Sequence, residues 1–153
     1  MKRSEVRFID DASLVEDIHA EGLEVGETPS SPGVRDRGLL ESAVGAPRNA
    51  LPYVQSLAEL AGIYAYGIAK NHAFIDGNKR AAFYTMVAFL DGNGFLFSTA
   101  PLDTEAWIAL FDGLAAGRVT RDQLVDSIAA EIGKLQNAGG PIWVDFEPDD
   151  DER

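Results

Sequence analysis

Two apolar runs constrain this chain more than anything else in it. "SLAELAGIYAYGIAK" (Ser56 to Lys70) and "AAFYTMVAFL" (Ala81 to Leu90) carry apolar residues on nearly every side of a helix, with Thr85 the one clear polar break in the second. A helix without a polar face is stable only when surrounded by other elements. Ser56 and Glu59 have S-x-x-E spacing, so a capping box is expected to open the first helix. The second is expected from about Asn78 to Leu90. Two buried helices joined by seven residues predict an antiparallel central pair with further helices packed around it.

The flanks supply those helices. "DASLVEDIHAEGL" places Leu14, Val15, Ile18 and Leu23 near helical spacing. "RDRGLLESAVGAP" gathers Leu39, Leu40, Ala43 and Val44 on one side, and its helix is expected to stop at Gly45 and Pro47. Beyond a turn at "DGNG" (Asp91 to Gly94), "PLDTEAWIALFDGLAAG" and "TRDQLVDSIAAEIGKL" read as two outer helices. Thr120 and Gln123 form a capping box for the second. "GETPSSPG" (Gly26 to Gly33) is a loop, and "VRFI" near the start reads as a short β-like piece. "GGPIWVDFEPDDDER" has no helical period and reads as a tail. The expected architecture is mainly α, a helical bundle with a buried central pair and minor β content, with a domain over residues 1–137 and an acidic tail over 138–153.

Composition narrows the functional classes. The 25 acids outnumber 13 Lys and Arg for a net charge of −12, and no window is richly basic, which argues against a nucleic-acid face. The last nine residues hold six acids and one Arg; a solubilising role for them is the simpler reading, shielding of a cationic site the other. No apolar stretch approaches the ~20 residues of a membrane helix. No secretory h-region follows the start, and there is no Cys, a pattern that fits a cytoplasmic protein. With His19 and His72 the only histidines, a zinc site is not expected. No Walker A loop is present either.

The chemistry is concentrated in the link between the two apolar helices, "NHAFIDGNKRAAF". A helix starting near Asn78 presents free N–H groups and the positive end of its dipole, a ready anion site. Gly77 lets backbone approach a ligand closely. Lys79 and Arg80 oppose the dipole unless an anion compensates, and phosphate would do so. Asp76 is suited to holding Mg2+ against phosphate oxygens. His72 has the side chain to take a proton from a hydroxyl. Phe74 reads as the apolar anchor of the loop. Each residue alone has an ordinary structural reading; their order and the helix that follows point to phosphoryl or nucleotidyl transfer.

"HAFIDGNKR" resembles the signature of the Fic/Doc family, His-x-Phe-x-Asp/Glu-Gly/Ala-Asn-x-Arg, and Lys79 makes it similar to the Doc branch. "PGVRDRGLLESAVGAPRN" (Pro32 to Asn49) resembles an upstream segment of Doc-like chains, and the helix around His19 fits their first helix. The resemblance covers roughly residues 5 to 135 and implies a Fic/Doc helical bundle. It implies His72 as base and Asp76 as Mg2+ ligand, with Gly77, Asn78, Lys79 and Arg80 on the phosphates of ATP. Lys70 joins the nucleotide-binding set by position. Arg35 and Asp36 lie on the upstream segment, where a structural ion pair is the favoured reading.

In Fic-type adenylyltransferases a Gly stands at the position of Lys79; Lys there implies reversed ATP and phosphorylation. The function implied is that of a toxin of a toxin–antitoxin system, phosphorylating a hydroxyl, on Thr, of a translation protein such as EF-Tu, and restrained by a Phd-like antitoxin. The self-inhibitory pattern of many Fic proteins fails here, since Ser127 and Glu131 are followed by Ile132. The alternatives are a Fic-type adenylyl or nucleotidyl transferase and, from another class, a non-catalytic regulatory or binding module.

Overall fold

A computed structural model describes residues 1–24 and 33–148. The expected loop at Gly26 to Gly33 lies, but for Gly33, outside the described residues, as do the last five residues of the acidic end. Six α-helices are described: α1 (Ala12–Glu24), α2 (Arg37–Ala50), α3 (Leu57–Asn71), α4 (Asn78–Gly92), α5 (Thr104–Ala116) and α6 (Arg121–Leu135). Short 3-10 turns lie at Arg3–Glu5, Leu51–Tyr53 and Phe97–Thr99. No described helix is long and apolar enough to cross a membrane.

The apolar run after Ser56 becomes the hub. α3 packs against α2, α4, α5 and α6. Its Leu57, Leu60, Tyr64, Ala65 and Ile68 are fully buried, as an all-round apolar helix requires. Gly62 permits the approach of α6, because a Cβ there would lie 2.6 Å from Val125 Cγ2. The widest helix contact is between α3 and α4, the expected pair. Thr85 is buried in α4 with no hydrogen-bond partner for its hydroxyl. The phenol of Tyr64 accepts from the Ile9 N–H and donates to the Ile9 carbonyl, both at 2.9 Å, and burial pushes its pKa up.

Several expectations are corrected. α1 buries Ala12, Val15 and His19, while Leu14 is 45% exposed; the inward face is one residue out of register from a stripe through Leu14. α2 does not stop at Gly45 or Pro47 but runs to Ala50 with Pro47 inside it and buried. An interior proline removes its own N–H from the ladder and its ring crowds the carbonyl four residues back, but tertiary contacts hold the next turn: Arg48 donates to both Asp10 carboxylate oxygens at 2.9 and 2.6 Å and lies 4.5 Å from the Phe8 ring centroid. "VRFI" forms no strand; Arg7 and Ile9 bond to side chains of Asn93 and Tyr64 instead. Minor β content reduces to two isolated bridges among the described residues, Val34 with Phe74 and Ser56 with Asp145.

Ser56 caps α3 by accepting from the Glu59 N–H at 3.2 Å, but the Glu59 carboxylate accepts from Gln55, at 3.4 Å, in place of Ser56. Ser56 faces Asp145 in an isolated bridge whose hydrogen bonds are made by its neighbours Gln55 and Leu57. The box at Thr120 and Gln123 forms in full. Residues 138–148 contain no helix, yet they are docked. Ala58 and Leu57 donate to the carbonyls of Trp143 and Val144, Phe146 donates to Gln55, and the Phe146 ring is buried. This segment therefore closes the N-terminal end of α3. The 15 residues of that helix, at 1.5 Å rise each, put about 22 Å between it and the loop that follows α3.

Candidate active site

α3 ends at His72, whose backbone is left-handed (φ 53°, ψ 40°). A non-glycine residue holds such a conformation at a cost of roughly 1–3 kcal/mol, so the surroundings must impose it. They do so through Arg35. Its Nε and Nη2 both donate to the His72 carbonyl, at 2.9 and 2.6 Å. Its backbone N–H, with that of Asp36, donates to the next carbonyl, Ala73, at 2.7 and 3.1 Å. Ile75 N–H donates to Gly33 at 3.2 Å and completes the seam. Arg35 and Asp36 thus form no ion pair with each other. Arg35 holds the loop, and Asp36 caps α2 by accepting from Leu39 N–H at 3.0 Å.

The inner side of the loop is equally determined. Phe74 is 1% exposed and lies flat on the ring of His19, centroids 3.9 Å apart and planes 4° from parallel. His19 Nε2 lies 2.6 Å from the Asp76 carbonyl; a carbonyl only accepts, so that nitrogen bears the proton. The Asn78 side chain turns back into the loop, accepting from Phe74 N–H and donating to the Phe74 carbonyl, both at 3.0 Å. The Asn78 amide is therefore occupied by the loop, leaving its backbone to face a ligand. Gly77 takes a left-handed conformation (φ 79°, ψ 19°) as the residue before α4.

The result is a rigid turn with a polar outer surface. His72 and Asp76 are both exposed, and one Asp76 oxygen accepts from Gly77 N–H at 2.8 Å. The first turn of α4 carries no acid, only Lys79 and Arg80. Lys79 is engaged: its ammonium lies 2.6 Å from Asp112 of α5. Lys79 and Arg80 also line a cavity of about 660 Å3 between α4 and α5, walled by Phe83, Trp107 and Phe111. Lys70, in the last turn of α3, lines a different cavity of about 390 Å3 with Arg121. His72 and Asp76 belong to neither lining. The loop thus groups His72, Asp76, Gly77 and Asn78, with Lys79 and Arg80 one turn on and Lys70 to the side.

Mg2+ is a hard cation that takes one or two carboxylates and completes its shell with water and phosphate oxygens. Asp76 offers one exposed carboxylate beside a helix start, and no described cluster of three or more His, Cys, Asp or Glu competes as a closed protein cage. That donor set fits a cation bound together with a nucleotide.

Sequence reasoning passed over three residues of this region: Arg35 as the loop's clamp, His19 as the partner of Phe74 and Asp76, and Asp112 as the partner of Lys79. The first two had a signal. Arg35 sits in the upstream segment, and His19 falls four residues after Val15, on the buried face of α1.

A helical bundle whose central pair is joined by a loop bearing a histidine, a carboxylate and a cationic helix start defines a class of helical transferase-like domains. The Fic/DOC family profile matches residues 8–94, and the chain belongs to that family. The chain is 38% identical over 102 residues to Toxin Doc of Mycolicibacterium smegmatis, covering 65% of this chain and 75% of that protein. It is 26% identical over 107 residues to Protein kinase doc of Escherichia phage P1, covering 69% of this chain and 82% of that protein.

Proposed function

We propose that this protein is a Doc-like toxin that transfers the γ-phosphate of ATP to a threonine hydroxyl of a translation protein, EF-Tu, in the cytoplasm. The observation that carries the reading is the pinned loop itself: an exposed histidine, an exposed carboxylate and a cationic helix start held on one short turn whose backbone is fixed from both sides. The names of the two relatives, a toxin and a protein kinase, support it.

In this mechanism His72 takes the proton of the acceptor hydroxyl as its oxygen bonds to the γ-phosphorus. The bond from that phosphorus to the bridging oxygen breaks, and ADP leaves. Arg80 and Lys79 offset phosphate charge, with the N–H of Asn78 facing the same anion and the turn at Gly77 letting it approach. Asp76 would hold Mg2+, which supplies charge neutralisation on the phosphates. Lys70 is an auxiliary cation at the rim. Asn78 and Phe74 act by shaping the loop. A Phd-like antitoxin would restrain the toxin, and the apolar cavity between α4 and α5 offers its segment a seat.

One observation favours a second reading, adenylyl transfer. An ammonium engaged by Asp112 does not crowd the start of α4 in the way that reversal of ATP requires. Purified protein, EF-Tu and Mg2+ with ATP labelled at the γ- or α-phosphate separates the two. Label passing to EF-Tu from the γ-position only, and not with His72→Ala, is the expected result. Label from the α-position would replace kinase with adenylyltransferase, and no transfer from either would remove EF-Tu as the acceptor.

A further inference from the structure

We infer that Arg35 is the positioning residue that sets the orientation of His72. The inference rests on the reading of His72 as the base and adds to it a group that never touches substrate.

At φ 53° and ψ 40° the carbonyl of His72 leaves the helical ladder of α3 and points where no carbonyl of a continuing helix would. Two donors of one rigid guanidinium meet that oxygen at 2.9 and 2.6 Å. A planar fork with both N–H groups on a single acceptor fixes the direction of the carbonyl as well as its distance. The direction of the carbonyl is the ψ torsion of His72. That torsion sets how the chain leaves the residue carrying the imidazole, toward Phe74 and Asp76.

Arg35 is suited to the task because its own backbone is fixed first. Its N–H donates to Ala73 at 2.7 Å, Val34 pairs with Phe74, and Gly33 accepts from Ile75. The guanidinium therefore starts from a platform already attached to the loop it holds. Removing the side chain should leave that seam in place and release only the His72 peptide. Two of the about five N–H donors of the exposed guanidinium are committed to a backbone carbonyl, which gives the group a structural role.

The test exploits a feature of composition: the chain has two histidines, one at each kind of site. In protein carrying isotopically labelled histidine, the imidazole signals report His72 and His19 separately, with His72→Asn assigning them. His19 is 4% exposed and stacked in the core, so its signal reports whether the fold persists. Arg35→Ala should displace or broaden the His72 signal and leave His19 where it was. Transfer to EF-Tu should lose roughly tenfold to a hundredfold in kcat, with KM for ATP within about twofold.

Arg35→Lys, which offers a point charge in place of a fork, should also displace the His72 signal and restore only part of kcat. It decides the matter should the Ala variant lose the His19 signal as well. A His72 signal that coincides with wild type in whichever variant keeps the His19 signal would overturn the inference. If wild-type protein leaves EF-Tu unmodified, the proposed function fails on that arm, and the histidine signals still decide the role of Arg35.

Discussion

Asn78 and Phe74 are joined by two hydrogen bonds running in opposite directions: the Asn78 amide donates to the Phe74 carbonyl and accepts from the Phe74 N–H, each at 3.0 Å. Only a primary amide has a donor and an acceptor so placed. Asn78→Ala should therefore lower stability by about 1–3 kcal/mol through the two backbone groups it orphans. Asn78→Asp should not recover it, because a carboxylate would face the Phe74 carbonyl with no proton to give. Denaturant midpoints of the three proteins check this; an Asp variant as stable as wild type would contradict the bracket.

His19 contributes two separable interactions, the stack on Phe74 and the bond to Asp76. His19→Phe keeps an aromatic ring but loses the donor, and should cost about 1 kcal/mol for the lost hydrogen bond to the Asp76 carbonyl. His19→Ala loses both and should cost about 3 kcal/mol or more as a core truncation. The two melting temperatures should fall in that order below wild type. In the transfer assay, the Phe variant should need more Mg2+ for half-maximal rate, since the Asp76 carbonyl would lose its bond to His19.

The pair formed by Asp10 and Arg48 predicts a pH dependence. The hydrogen bond from Arg48 holds the Asp10 carboxyl below its ordinary value, although burial opposes the shift. A depressed folded-state pKa means stabilisation present above the unfolded value and lost as pH falls through the folded one. Asp10→Asn should thus be less stable than wild type near neutrality, and the difference should shrink steadily below about pH 4. Melting curves from pH 7 to pH 3 measure it; a difference independent of pH would mean the pair contributes packing alone.

Two glycines should respond to alanine with opposite signs. A Cβ on Gly133 would overlap the carbonyl of Gly140, where the chain crosses α6. Gly133→Ala should cost about 3 kcal/mol or more and expose the segment through Phe146 to protease. Gly45 lies inside α2 with nothing within 4 Å of its would-be Cβ. Gly45→Ala should stabilise by about 0.5–1 kcal/mol, the ordinary difference between these residues in a helix. Limited proteolysis and thermal melts together separate the two cases.

The central pair, the outer helices and the loop between His72 and Gly77 were legible because they announce themselves by residue type: all-round apolar helices, caps and a crowded polar link. What stayed hidden depends on backbone carbonyls. Arg35 reaching His72 and His19 reaching Asp76 leave no mark at the receiving positions, since every residue has a carbonyl. The docked segment did leave one. Ile142, Val144 and Phe146 alternate inward with exposed Trp143 and Asp145 between them, a period of two that a search for helical spacing passes over. Pro47 read as a stop because local propensity was weighed without the buried contacts that override it.

The left-handed backbone at His72 changes what a substitution there means. Histidine and asparagine enter that conformation more readily than most side chains, and alanine does not. A His72→Ala protein therefore loses an imidazole and also gains freedom for the chain to straighten, so its inactivity would have two causes mixed together. His72→Asn keeps the turn and removes only the base. The gap in residual rate between these two proteins is a direct gauge of how much of the site's performance resides in the shape of its main chain.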